Sequence, residues 1–384
     1  MGGTDPYGFT VNLAYDCIMR HRNPLLVLAT AALLYTAAIS IRPPAVHAQG
    51  QKSANDRRFE EIMAKRARGE EVSAEDRQFA QGVMAGRKEK QAKILAEYAA
   101  MHAPKDSTGM IPLPDLGNGT YKGETGGLYP SGENTPPAAH LKAGRIAAAK
   151  IAPIDGKIVF LSVGMSNTTM EFSAFQKLAE NETGLNPNLV IVDGAQGGQT
   201  AAVTANPNAN YWKVNEERLS KAGVSAKQVQ VAWLKQANAG PTRDFPAEAK
   251  KLEEDIVKTL QNLRERFPNL KIVYFSNRIY AGYAASPLNP EPHAYETAFA
   301  VKWAIARQIG GEAELSYDKM PWLAWGPYLW SDGLKGRKDG LTYTRGDLGP
   351  DGTHPSEAGR MKVAKQLLDF LKTDPTAKPW FLKN

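Results

Sequence analysis

Asp351-Gly352-Thr353-His354-Pro355-Ser356 sets a carboxylate and an imidazole three positions apart across a glycine turn, just before helical sequence. That pairing suits general-base chemistry. Neutral imidazole takes a proton near neutral pH. A carboxylate fixes its tautomer and steadies the imidazolium that forms. The proton would come from a hydroxyl nucleophile, because an unassisted serine is a weak one. Gly164-Met165-Ser166-Asn167 offers that serine, in a tight turn after an apolar run. There its own backbone N–H can face an oxyanion. Read alone, each motif has a plain structural meaning: an Asp-Gly turn with a bystander histidine, and a helix N-cap serine.

Three further polar clusters follow apolar runs. Gly194-Ala195-Gln196-Gly197-Gly198-Gln199-Thr200 has paired glycines that let backbone N–H groups approach a ligand. Its spacing is not that of a phosphate-binding G-x-G-x-x-G, and alone it is a turn. Lys235-Gln236-Ala237-Asn238 carries two amide donors. Asn277-Arg278-Ile279-Tyr280 is available to line the same crevice. Either cluster serves equally well as loop capping. Past residue 48 the histidines are His102, His140, His293 and His354, and none shows a ligand spacing such as H-x-x-x-H. No metal and no cofactor is expected.

The elements that must hold these residues alternate. Apolar runs at 157–163, 189–192, 229–234 and 270–276 read as strands. Helical sequence follows at 171–183, 246–266, 291–309 and 355–372. In the second of these Ala249, Leu252, Ile256, Leu260 and Leu263 share one face. Strands separated by helices imply a parallel sheet covered on both faces. Ligands bind such sheets at the carboxyl ends of the strands. The chemistry-bearing residues above all follow a strand, with the Asp351–His354 turn entering the last helix.

The N-terminal part reads differently. Arg20 and Arg22 precede an uncharged apolar run at 25–41, and Ala45-Val46-His47-Ala48 has small residues where a signal peptidase reads. Together these predict a cleaved export signal; the alternative is a single membrane anchor. Met19 stands just ahead of the basic flank, so residues 1–18 read as an extension or an alternative start. Cys17 is the only cysteine and precedes that cleavage site. Disulfides, thiolate metal sites and cysteine nucleophiles are thereby excluded from the mature chain. Residues 49–104 read as a charged appendage of two helices, with Gly69 as a stop and Ser73 as a fresh N-cap. Residues 105–150 form an arm, rich in glycine and proline over 104–137, that is longer than a passive connection. Its Asn118, Tyr121, Tyr129 and Asn134 are available to a ligand. Residues 151–384 form the sheet domain. The charge of +7 is scattered among acids, without the clustered basic face of a nucleic-acid binder.

The order of these motifs resembles the blocks of the SGNH/GDSL hydrolase superfamily, over residues 157–372. Gly164-Met165-Ser166-Asn167 is similar to the G-Q-S-N nucleophile block of the carbohydrate (sialate-type) acetylesterase branch. Gly197-Gly198-Gln199-Thr200 is similar to the glycine block, and Asp351-Gly352-Thr353-His354-Pro355 to the final D-x-x-H-P block. The resemblance implies a three-layer α/β/α flavodoxin-like fold with a parallel sheet, carrying the helical appendage. It makes Ser166 the nucleophile, His354 the base and Asp351 its orienter. It puts the Ser166 N–H, the Gly198 N–H (Gly197 second) and an asparagine amide in the oxyanion hole. The asparagine block departs from the family's forms. Asn238 is the first choice there and Gln236 the second, and losing one such donor costs roughly 2.7–4 kcal/mol. Asn167, Gln199, Asn277, Arg278 and Tyr280 are the expected substrate contacts.

The function expected is exported, periplasmic or extracellular hydrolysis of acyl esters, acetyl esters of carbohydrate first, through a Ser-His-Asp acyl-enzyme. Trp212, Tyr280, Trp322, Trp325 and Trp330 are available to stack on sugars. The partner is a small-molecule or polysaccharide ester, with no nucleic acid, and with membrane contact only through an uncleaved leader. A second reading is a non-catalytic carbohydrate-binding envelope protein on a degenerate SGNH scaffold. A third is a structural protein anchored by its uncleaved signal.

Overall fold

Two stretches of sequence with different patterning become two separate units in the computed structural model, which describes residues 53–383. The expected leader and Cys17 lie outside the described residues. One unit ends at Met101 and the other begins at His102.

The first unit is a pair of helices, α1 (Ala54–Ala67) and α2 (Ala74–Met101). Ser53 caps α1 by accepting from the Asp56 N–H at 3.1 Å, and Ser73 does the same for Asp76 at 3.1 Å. Between them Gly69 takes the left-handed backbone, φ +72°, that a glycine adopts freely. Phe59, Ile62, Val72 and Ala80 form a small core of their own. Arg58 and Arg87 lie over the Phe79 and Phe59 rings and pair with acids on the opposite helix.

In the second unit the glycine- and proline-rich arm forms a two-stranded ribbon, β1 (Thr120–Tyr121) with β2 (Glu124–Thr125), and then helix α3 (Ala138–Ala149). The alternation that follows is β3 (Ile158–Gly164), α4 (Ser166–Ala179), β4 (Leu189–Asp193), α5 (Asn210–Lys221), β5 (Val229–Lys235), α6 (Ala247–Arg266), β6 (Ile272–Phe275), α7 (His293–Ile309), β7 (Trp322–Trp325) and α8 (Glu357–Thr373). One-turn helices at Leu113–Leu116, Ala201–Thr204 and Lys378–Phe381 are left unnumbered.

The five strands β3–β7 form one parallel sheet in the order β4-β3-β5-β6-β7. That is the doubly wound order of flavodoxin-like sheets, and the order reverses beside β3. Because such crossovers are right-handed, the helix of the leftward step, α4, lies on one face. The helices of the rightward steps, α5, α6 and α7, lie on the other. Accordingly α4 packs with α8, and α6 with α7. All residues of β3, β5, β6 and β7 are buried, as a two-sided cover requires.

The sequence reading misses β7. Its four residues, Trp-Leu-Ala-Trp, are too short to show a period, and two are tryptophans set aside as sugar platforms. Trp212, Tyr280, Trp322, Trp325 and Trp330 are all core residues instead. An indole is a large apolar surface with a single N–H, and here it is met inside the fold: Trp322 Nε1 donates to the His140 carbonyl and Trp325 Nε1 to the Leu128 carbonyl.

The arm is tied into the same core. Leu113 and Tyr129 are buried there. Tyr121 packs against Phe245, Tyr295 and Phe299, and its hydroxyl donates to Glu296. Asp332, wholly buried, accepts from the Ser107 and Thr108 hydroxyls and from the Thr108 and Gly109 N–H groups. Of the four arm residues considered for a ligand, Tyr121 and Tyr129 thus serve packing. Asn134 is exposed and donates to the Pro114 carbonyl, and Asn118 is exposed.

Candidate active site

β3 ends at Gly164, Met165 is extended, and Ser166 is the first residue of α4. The helix therefore starts five residues before the sequence reading begins it. As a first-turn residue Ser166 has an N–H outside the i→i−4 ladder, and the helix dipole favours negative charge there. The loop after β4 is brought against this turn, since the Gln196 N–H donates to the Gly164 carbonyl at 3.0 Å. In that loop Gly198 has φ +74°. Asp193 pins its base: the carboxylate accepts from Ser162 on β3, Thr169 on α4 and the Ala195 N–H. Arg218 of α5 binds the carbonyls of Asp193 and Ala195, both at 2.7 Å.

The Asp351–His354 turn meets Ser166 from the far end of the chain. Ser166 Oγ and His354 Nε2 are 2.7 Å apart, and His354 Nδ1 is 2.5 Å from Asp351 Oδ2. Asp351 Oδ1 accepts from the N–H groups of Thr353 and His354, each at 3.0 Å. Burial pushes the Asp351 carboxyl up. Its bond to His354, the imidazole's charge and the two N–H donors outweigh that and hold it at about 2. It is therefore an ionised acceptor at neutral pH. Gly352 sits at φ +64°, and a Cβ there would lie 1.7 Å from the Tyr283 carbonyl oxygen. Only glycine fits this position. Ser356 then caps α8 by accepting from the Gly359 N–H. Chemically the arrangement is a hydroxyl, an imidazole and a carboxylate in series, the geometry of an activated nucleophile.

The oxyanion assignments divide. The N–H groups of Ser166 and Gly198 belong to turns held side by side. Both hydrogens of the Gln236 amide are directed inward, to the Gln199 carbonyl and Thr204 Oγ1. Gln236 is thus not available as a donor. Asn238 donates to Asp255 at 2.8 Å and accepts from the Ala202 N–H at 3.0 Å, so its amide ties the loop after β5 to α6 and the Ala201–Thr204 turn. Gly197, the second glycine choice, has open space where a Cβ would stand.

The substrate contacts expected from sequence are corrected by burial. Asn167, Asn277, Arg278 and Tyr280 are each 1 % exposed or less. Asn167 Nδ2 donates to the Thr353 carbonyl at 3.0 Å, and Arg278 Nη2 reaches the same oxygen at 3.3 Å. Asn277 Oδ1 accepts from the Leu329 N–H, and the Tyr280 hydroxyl donates to the Lys105 carbonyl. These polar side chains satisfy backbone groups that the long loops leave unpaired. Gln199 is largely buried, its carbonyl taken by Gln236.

Sequence reasoning overlooked the ion pair beneath the serine. Lys235, which pairs in register with Gly164, and Glu171 on α4 are both fully buried, with Nζ–Oε distances of 2.5 and 2.6 Å. Burial pulls the lysine down to about 8 and pushes the glutamate up. The signal was a lysine closing an otherwise apolar strand. Among the described residues no group of three histidine, cysteine or acidic side chains is arranged to hold a metal ion, and His140 is satisfied by the Tyr317 hydroxyl and the Leu323 carbonyl. No helix there is long and apolar enough to cross a membrane.

No protein-family profile matches the chain, and no curated protein does. Among solved structures it is similar to the Bacillus subtilis protein YXIM, at 14 % identity over 56 % of each chain and a TM-score of 0.31. At that score the likeness carries no argument. The class of the protein, a doubly wound α/β protein with a Ser-His-Asp constellation at strand ends, rests on its own geometry.

Proposed function

We propose that this chain is an exported serine ester hydrolase of the SGNH type. One observation carries the reading: Ser166 Oγ, His354 and Asp351 are joined in series at 2.7 and 2.5 Å. Ser166 attacks the acyl carbonyl while His354 Nε2 takes its proton. The carbonyl oxygen, now negative, is held by the N–H groups of Ser166 and Gly198. His354 returns the proton to the leaving alkoxide, and the acyl-enzyme is cleared by water that His354 activates. The acyl group is small, acetyl first, and the alcohol is a carbohydrate hydroxyl. That part rests on the G-Q-S-N-like block and the leader-like N-terminus.

A fluorophosphonate probe tests the activation of the serine. Labelling of the wild-type protein, lost in Ser166→Ala, supports the reading. A wild-type protein that is folded but unlabelled sinks it.

The engaged amide of Gln236 and the anchored amide of Asn238 favour a second reading, a carbohydrate-binding protein on a degenerate scaffold of this type. It expects no labelling, together with saturable binding of an acetylated polysaccharide.

A further inference from the structure

We propose that Asn167 and Arg278 are positioning residues that clamp the catalytic turn through the carbonyl of Thr353. The proposal rests on the serine-hydrolase reading above. Asn167 follows the nucleophile in the chain and Thr353 precedes the base. The 3.0 Å bond between them therefore ties the two ends of the Ser166–His354 pair across 186 residues of sequence. Arg278, three residues past the end of β6, reaches the same oxygen from a third element.

A carbonyl oxygen with two lone pairs takes two donors, and both directions are filled by buried side chains. The Thr353–His354 peptide is thus held on its oxygen by Asn167 and Arg278, and on its N–H by Asp351. The His354 carbonyl in turn accepts from the Gly349 N–H at 2.7 Å. The imidazole has only its two side-chain torsions left, and Asp351 fixes those. Arg278 is itself held by its backbone N–H, which donates to Thr297 Oγ1 at 3.1 Å, and its charge is favoured by the carboxylates of Glu171, Glu291 and Asp351 and opposed by Lys235. Burying a guanidinium is costly, and the surrounding acids repay only part of that cost. A structural cap for one carbonyl would not need it.

The test uses the full chain. Asn167→Leu keeps the branched shape, adds some bulk, and removes both donors. Arg278→Lys keeps the charge and removes the planar fork. Each is expected to slow fluorophosphonate labelling of Ser166 by about 10–100-fold, the scale of a displacement near 1 Å. Labelling is compared well below the thermal midpoint of each variant, so that a loss of rate is not a loss of fold. The His354 Nδ1–H···Asp351 bond is expected to give a downfield proton resonance in wild type, which should broaden or vanish in both variants. A folded variant that labels at the wild-type rate removes its residue from the clamp, and two such variants overturn the proposal. If wild type itself is unlabelled, the hydrolase reading falls. The clamp is then judged on the resonance alone: loss in Asn167→Leu supports it, and persistence overturns it.

Discussion

Ser166 Oγ and His354 Nε2 make a 2.7 Å contact although 188 residues separate them. Topology makes the contact. β3 lies beside the point where strand order reverses, so the helix that starts at Ser166 crosses one face of the sheet. α8, which starts just after His354, packs on that same helix. Two helix N-termini are thereby set side by side at the carboxyl edge of the sheet.

Asp351→Asn should lower kcat by about 10⁴-fold, because an amide supports the wrong imidazole tautomer. The same variant changes acid stability. The folded carboxyl titrates at about 2, below its ordinary 3.8. Its stabilising contribution is therefore full above the ordinary value and is lost as pH falls through about 2. Denaturant unfolding across that window should show a stability loss in wild type that is smaller in Asp351→Asn.

Asn238→Ala separates the two roles open to that amide. Removing an oxyanion donor costs about 10²–10³-fold in kcat. The bonds to Asp255 and Ala202 describe a strut instead. We expect a fall in kcat well under tenfold with a measurable drop in the unfolding midpoint. A hundredfold loss of kcat in a stable protein would restore Asn238 to the oxyanion hole.

Lys235→Met should destabilise the fold by about 3–5 kcal/mol, since it leaves the buried Glu171 carboxylate without its partner. Glu171→Leu combined with Lys235→Met should recover part of that loss, as apolar pairs of similar volume do. Denaturant titration of the two variants is the measurement. A double variant weaker than Lys235→Met alone would show that Glu171 is needed by Arg278 as well.

Gly352→Ala forces a Cβ into the Tyr283 carbonyl and a left-handed backbone on an L-residue. The turn must open, so Ser166 labelling should fall steeply while the sheet remains folded. Unchanged labelling would mean that the turn has room the structure does not contain.

The strands β3, β4, β5 and β6 were legible because each is an apolar run bounded by polar turns, and patterning of that kind survives in any context. The fold class follows from their alternation with helices. β7 was not legible, because four residues carry no period and tryptophan reads equally as core or as ligand surface. Ser166 and the Asp351–His354 turn could be nominated from residue type and position after strands. The polar residues at the other strand ends could not be sorted the same way. Asn167, Arg278, Gln236 and Asn238 have the composition of a binding crevice, yet their bonds run to Thr353, Gln199, Thr204, Asp255 and Ala202.

What the sequence by itself determined is local: which segments bury both faces, where a turn demands glycine, and which side chains can share a proton. The tertiary structure alone decided which polar groups meet. A hydrogen bond depends on positions to within a few tenths of an ångström. Those positions are set by how β3, β5 and the last turn stack from opposite ends of the chain, and no short window of sequence records that.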